Sequence, residues 1–206
     1  MAAFPRTVPP AAVSYPKAIG SLISVGQSGA VQTRSEAAQG LTWTETWSAL
    51  PAGNEDVQEL LTTLQNLYNT GATCTLTHYL LPGSGKAANG AGGGTPLVNG
   101  PGQSGTSLMT YGWTAAAANR MKAGDCFTVV GTDVLFRVTA DASSDGSGLA
   151  TLSITPPIVA GSSPTNSGAL TISGATLTAV VVDYTEASAG PDQYIGGLRA
   201  TFREAP

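Results

Sequence analysis

Apolar and polar positions alternate strictly in LTWTETWSAL, residues 41–50. Leu41, Trp43, Glu45, Trp47 and Ala49 point one way, and Thr42, Thr44, Thr46 and Ser48 the other. A period of two marks a strand with unlike faces, and Glu45 is the odd member of the apolar one. TCTLTHYL, residues 73–80, alternates again and groups Cys74, Leu76, His78 and Leu80. Between these runs the period changes. In GNEDVQELLTTLQNLYNTG, Val57, Leu60, Leu61, Leu64, Leu67 and Tyr68 recur every three or four residues, which predicts an amphipathic helix over 54–69. Asn54 can accept from the free N–H groups of the first turn, Glu55 and Asp56 suit the positive end of the helix dipole, and Gly71 supplies the stop. One apolar stripe requires one cover, so the helix should lie across a sheet.

Upstream, GSLISVGQSGAVQTR, residues 20–34, reads as two short strands around a Gly/Ser turn. Residues 1–19 hold four prolines and read as an extended arm. Residues 82–105 are rich in glycine, which has a large ordering entropy and little to bury, and read as a mobile loop or linker. Strand-like runs follow at 106–111, 125–131, 134–140, 149–155, 169–173, 176–183 and 194–203, separated by close turn signals. The expected class is α+β and mainly β. A sheet with one helix occupies 20–81, a second small β module, barrel or sandwich, occupies 106–190, and a last strand in 191–206 can return to the first sheet.

Composition narrows the partners. Of 206 residues only 11% are charged, with 9 Lys plus Arg against 13 Asp plus Glu, a net charge of −4. That is the wrong sign for gripping nucleic acid, although it would let DNA pass without sticking. The start of the chain has no basic region followed by an apolar core, and no apolar run is long enough to span a bilayer, so neither a signal peptide nor a membrane anchor is expected. Cys74 and Cys126 sit in apolar strand-like contexts and read as buried free thiols. A bridge between them is the alternative, which the spacing does not decide.

Chemistry finds little to use. His78 is the single histidine, and Cys74, four residues away on a strand, stands ~13 Å off, too far to share a metal ion. GSGKAANGAGGG has Ala87 after Lys86 where a phosphate loop needs Ser or Thr, and no helix follows. DASSDGSG, residues 141–148, lacks the alternating ligands of a calcium loop. Asp133, Asp183 and Asp192 are scattered, and no nucleophile elbow occurs. No catalytic residue, cofactor or metal is therefore expected. Trp43 and Trp47 share a strand face and could form a sugar-stacking platform or simply the packed side of a sheet, and Trp113 is a third candidate. The Thr stripe beside them suits solvent or a neighbouring subunit equally well.

GQSGTSLMTYGW (102–113), MKAGDCFTVVG (121–131), FRVTADASSDGSGLATLSITPPI (136–158) and FREAP at the end resemble, in that order, the tail-tip proteins of tailed bacteriophages and prophages. The Trp-containing strand and the helix of the ED…ELL..L..LY type extend the similarity over roughly residues 20–205. Gly102 and Gly105, the Gly124-Asp125 turn, the Asp145-Gly146 hairpin and the strand-ending Pro156-Pro157 would then be corner positions. The resemblance implies a distal tail (baseplate hub) protein of the virion, related to tail-tube subunits: a split β-barrel with a helix, assembled in the bacterial cytoplasm into a hexameric ring around the DNA channel. It further implies tail-tube, baseplate-hub and tape-measure neighbours, with the arm and the glycine-rich loop ordered only against them. Inter-subunit or channel-wall positions would fall on Trp43, Glu45, Trp47, Thr75, Thr77 and His78. The alternatives carried forward are a tail-tube or other minor tail subunit, and a carbohydrate-binding host-adhesion module. A tail-tip hydrolase is the weakest class.

Overall fold

The computed structural model describes residues 2–14, 17–18, 22–25, 31–34, 41–48, 50–132, 134–185, 188–189 and 194–205. They form two compact units: residues 1–76 together with 178–206, and residues 77–177. The protein is mainly β with one helix, as the periodicities required.

The first unit is built on a half-barrel sheet. Its order in space is Ala2–Ala3, Cys74–Leu76, Leu177–Thr185, Leu198–Glu204, Leu41–Trp47, Ala12–Val13, and Lys17–Ala18 also pairs with Leu41–Trp47. The centre is antiparallel, with Trp47 opposite Leu198, Glu45 opposite Ala200 and Trp43 opposite Phe202. Alternation decides the faces: Trp43, Glu45, Trp47, Leu198, Ala200 and Phe202 are all buried, and Thr42, Thr44 and Thr46 are half-buried on the other side. The final strand thus does return to the first sheet. Its antiparallel partner, Leu177–Thr185, comes with it, although the alternation alone assigned that run to the second module. Leu22–Val25 and Val31–Arg34 pair as the expected hairpin, whose turn at 26–30 lies outside the described residues.

The helix spans Glu55–Thr70. The Asn54 carboxamide oxygen accepts from the N–H groups of Asp56 at 2.8 Å and Val57 at 3.4 Å. Gly71, at φ 64°, donates its N–H to Leu67 and ends the helix in the left-handed conformation. Val57, Leu60, Leu64 and Leu67 are buried, whereas Tyr68 lies at the stripe's margin with its ring 6.0 Å from that of Tyr184. Among the described residues no helix is long and apolar enough to cross a membrane.

Residues 1–19, expected to be an unsupported arm, are in their described part built into this sheet. Ala2–Ala3 runs parallel to Cys74–Leu76 at one edge and Ala12–Val13 antiparallel to Leu41–Trp47 at the other. The chain between them crosses from edge to edge.

The second unit is a six-stranded antiparallel sheet in the order Leu170–Thr171, Cys126–Val129, Phe136–Val138, Ala150–Ile158, Gly105–Trp113, Gly94–Val98. Its two ends meet through a bridge between Leu97 and Ala169, and the Val98 N–H donates to Gly168, which nearly closes the barrel. The inside is apolar, with Phe127 stacked on Phe136 and Leu108, Met121, Leu152 and Ile154 fully buried.

Residues 82–105, expected to be a mobile loop, belong to this barrel. They contribute the strand Gly94–Val98, and their glycines mark close backbone approaches: a Cβ at Gly83 would strike the Cys126 carbonyl, and one at Gly85 the His78 carbonyl. Glycine content was read as freedom where it reports crowding. Pro156 and Pro157 do not end their strand either. It runs on to Ile158, which pairs with Gly105 across a register shift, and such an irregularity accommodates residues with no N–H to donate.

The whole second unit joins Cys74–Leu76 to Leu177–Thr185, neighbours in the first sheet. An insertion at a strand connection leaves the host sheet's pairings intact. Leu64 is fully buried, and Leu64→Ala should lower the stability of the first unit by about 2–5 kcal/mol, read as a lower urea midpoint in the helical circular dichroism signal.

Candidate functional site

Three buried polar constellations hold the two units in shape. The first starts at Glu45, a carboxylate with no exposed surface. Arg6, from the crossing segment, meets it with both guanidinium nitrogens: Nη1 to Oε2 at 2.6 Å and Nη2 to Oε1 at 3.0 Å. Trp43 Nε1 adds a third donor to Oε1 at 3.2 Å. The Arg6 guanidinium also lies 5.1 Å from the centre of the Phe4 ring, which meets Phe202 edge-on while Trp43 stacks on Phe202. Trp47 Nε1 donates to the Val8 carbonyl. The odd carboxylate of the apolar face is therefore the anchor of residues 4–8.

The second is Asp125, also without exposed surface. Its carboxylate accepts from the backbone N–H groups of Asn89 (2.7 Å), Gly90 (2.8 Å) and Lys122 (2.8 Å). It pins the glycine-rich segment to the turn that opens the strand Cys126–Val129.

The third is Gln103. Its Nε2 donates to the carbonyls of Asn99 and Met109, and its Oε1 accepts from the Met109 N–H at 2.6 Å. Sequence reasoning named the flanking Gly102 and Gly105 and passed over this side chain. The signal that could have found it is a long carboxamide in a hairpin connection, able to donate and accept at once.

Asp145 does close its turn, accepting on Oδ1 from Ser147 and Leu149. The glycine that the turn requires is Gly148, not Gly146. Gly148 sits at φ 74° with its missing Cβ against the Trp113 carbonyl, whereas nothing lies near Gly146.

The expected subunit-contact residues are not brought together. Trp43, Glu45 and Trp47 line the interior of the first unit; Thr75 is half-buried there and gives its carbonyl to the Phe4 N–H. Thr77 and His78 fall in the second unit, where His78 is fully buried and its Nδ1 accepts from the Leu80 N–H. Trp43, Glu45, Trp47 and His78 thus have no free face for a neighbouring subunit or a channel. Trp113 is buried as well, with Nε1 on Thr110 Oγ1, so none of the three tryptophans offers a sugar-stacking surface.

Both cysteines are free and buried. Burial pushes the Cys74 thiol from its ordinary 9.0 up to about 11; Arg6 opposes the rise and Glu45 adds to it. Among the described residues no group of three His, Cys, Asp or Glu could hold a metal ion; Asp133 and Asp192 lie outside them. An open depression of about 370 Å³ on the second unit is lined by Met109, Leu149, Asn99, Ser143, Asp145 and Thr151. Compared with known proteins, the chain matches no family model and no curated protein.

Asp125→Ala strands three backbone donors, each worth about 1–3 kcal/mol when buried and unmade. The expected result is a marked fall in the melting temperature of the second unit, with hydrogen exchange at Asn89 and Gly90 rising first. The Cys74 thiol predicts a pH dependence whose sign follows from its raised value in the folded state. Folding favours the protonated thiol, so that stability is intact below about pH 9 and is lost as pH rises through about 11. Cys74→Ala should flatten this loss in a pH series of urea melts.

Proposed function

We propose that the chain is a structural subunit of a bacteriophage tail tip, a distal tail protein whose ring joins the tail tube to the baseplate or tail-tip complex around the DNA channel. The observation that carries the reading is what the resembling motifs do. Gln103, Asp125 and Asp145 all spend their polar atoms on the chain's own backbone, so the ordered series of turns is scaffold and not a reaction centre. A half-barrel with one helix and an acidic, sparsely charged composition fit a subunit that meets protein neighbours and lets DNA pass unbound. On this reading the protein is no enzyme, needs no cofactor, and resides in the virion beside tail-tube, baseplate-hub and tape-measure proteins.

A tail-tube subunit is the nearest second reading, since it would share the half-barrel and helix. It differs in polymerising without limit, whereas a distal ring closes. Burial of all three tryptophans weighs against the sugar-binding alternative.

Light scattering on the purified chain, with negative-stain images of the same peak, tests the proposal. The expected result is six subunits in a ring with an open centre. Open-ended tubes would favour the tube subunit, and a single-chain mass at every concentration would count against a self-closing ring.

A further inference from the structure

The segment from Ala2 to Ser14 behaves as a ligand of its own sheet. Its bonds to the rest of the unit are those of an added strand: Ala2 and Ala3 pair with Cys74 and Thr75, the Phe4 N–H donates to Thr75, the Ala11 N–H to Thr46, and the Thr44 N–H to Ser14 Oγ. Two side chains enter the interior, Phe4 against Phe202 and Arg6 against Glu45. Pro5, Pro9 and Pro10 keep the segment extended and deny it any helix or hairpin of its own, so little internal structure has to be lost or remade when it leaves or returns.

What the segment would leave behind decides which occupant fits. Its departure would bare the edges of Cys74–Leu76 and Leu41–Trp47 and strand the fully buried Glu45, a costly state for a carboxylate. A replacement must therefore be an extended chain with a guanidinium two residues after an aromatic ring. The sequence Phe4-Pro5-Arg6 supplies that pattern, and every further copy of the chain carries it.

We propose that Ala2–Ser14 is an exchangeable strap: it closes the half-barrel of its own chain or that of a second copy, with Arg6 on Glu45 as the contact that selects it. Exchange links copies through an interface already formed within one chain. It belongs to this chain whether or not a phage tail is its destination.

Cys74 is a built-in reporter. It pairs with Ala2, is 1% exposed, and lies close enough to Arg6 and Glu45 to feel both charges. The experiment uses the full chain with Cys126→Ala, so that a thiol reagent reads Cys74 alone. The parent should react slowly, and Arg6→Glu and Glu45→Arg should each react at least about tenfold faster, because like charges open the strap.

An equimolar mixture of these two copies, one tagged, is then warmed briefly and cooled. The expected result is labelling as slow as the parent's and retention of the untagged copy with the tagged one, since each strap now suits the other copy's sheet. If Glu45→Arg shows no cooperative melt, the milder pair Arg6→Ala and Glu45→Gln takes its place in the same mixture. A synthetic peptide of residues 2–14 added to the Arg6→Ala chain should likewise slow labelling, and the peptide bearing Arg6→Ala should not.

A mixture that labels as fast as its components, with no co-retention, overturns exchange, even if the peptide protects. No acceleration in Arg6→Glu or Arg6→Ala overturns the strap itself.

Discussion

Glu45 carries a carboxylate into the apolar face of a strand, and such a group is tolerated only where hydrogen bonds and a counter-charge replace water. The structure meets that demand from 39 residues away, with a bidentate Arg6 and the Trp43 indole. Much of the first unit follows from this one pair. Arg6 can reach Glu45 only if its segment crosses the mouth of the half-barrel, and crossing it puts Ala2–Ala3 and Ala12–Val13 on opposite edges of the sheet. The aromatic stack of Phe4, Phe202 and Trp43 then packs beside the pair. A buried ion pair adds little net stability compared with apolar packing, but it discriminates sharply between registers, because a slip by one residue would leave both charges unmet.

The second unit uses the same physics without a counter-ion. Asp125 and Gln103 satisfy their own polar atoms, and those of the chain around them, through backbone groups. Both sit where a long connection must be held against a strand end, and a turn of weak intrinsic preference becomes a fixed corner. This explains why turns that resemble a family's motifs contain polar residues that do no chemistry: they substitute for the ladder hydrogen bonds that a connection cannot make.

Inserting one unit between adjacent strands of another also has a consequence for assembly. The sheet of residues 41–76 and 178–204 keeps its strand pairings independently of what the connection at 77–177 contains. One unit can therefore meet conserved neighbours by edge and strap while the other varies in surface, which suits a component placed between unlike partners.

The sequence by itself determined the elements whose period is local. Alternation in 41–50 and 73–76, the three-four spacing from Val57 to Leu67, and the caps at Asn54 and Gly71 depend on neighbours a few residues apart, and the structure places them as read. It also marked Glu45 as anomalous. The tertiary structure alone decided its partner, because Arg6 lies in a proline-rich stretch with no period to read. The glycines of 82–105 were misjudged for a similar reason: composition counts the freedom of an isolated chain, while the Cys126 and His78 carbonyls that crowd Gly83 and Gly85 are brought there by folding. So it was with Leu177–Thr185, whose alternation fitted either sheet until pairing with Leu198–Glu204 assigned it to the first. Local periodicity selects an element; which edge it joins and which charge it meets are settled by contacts far apart in the chain.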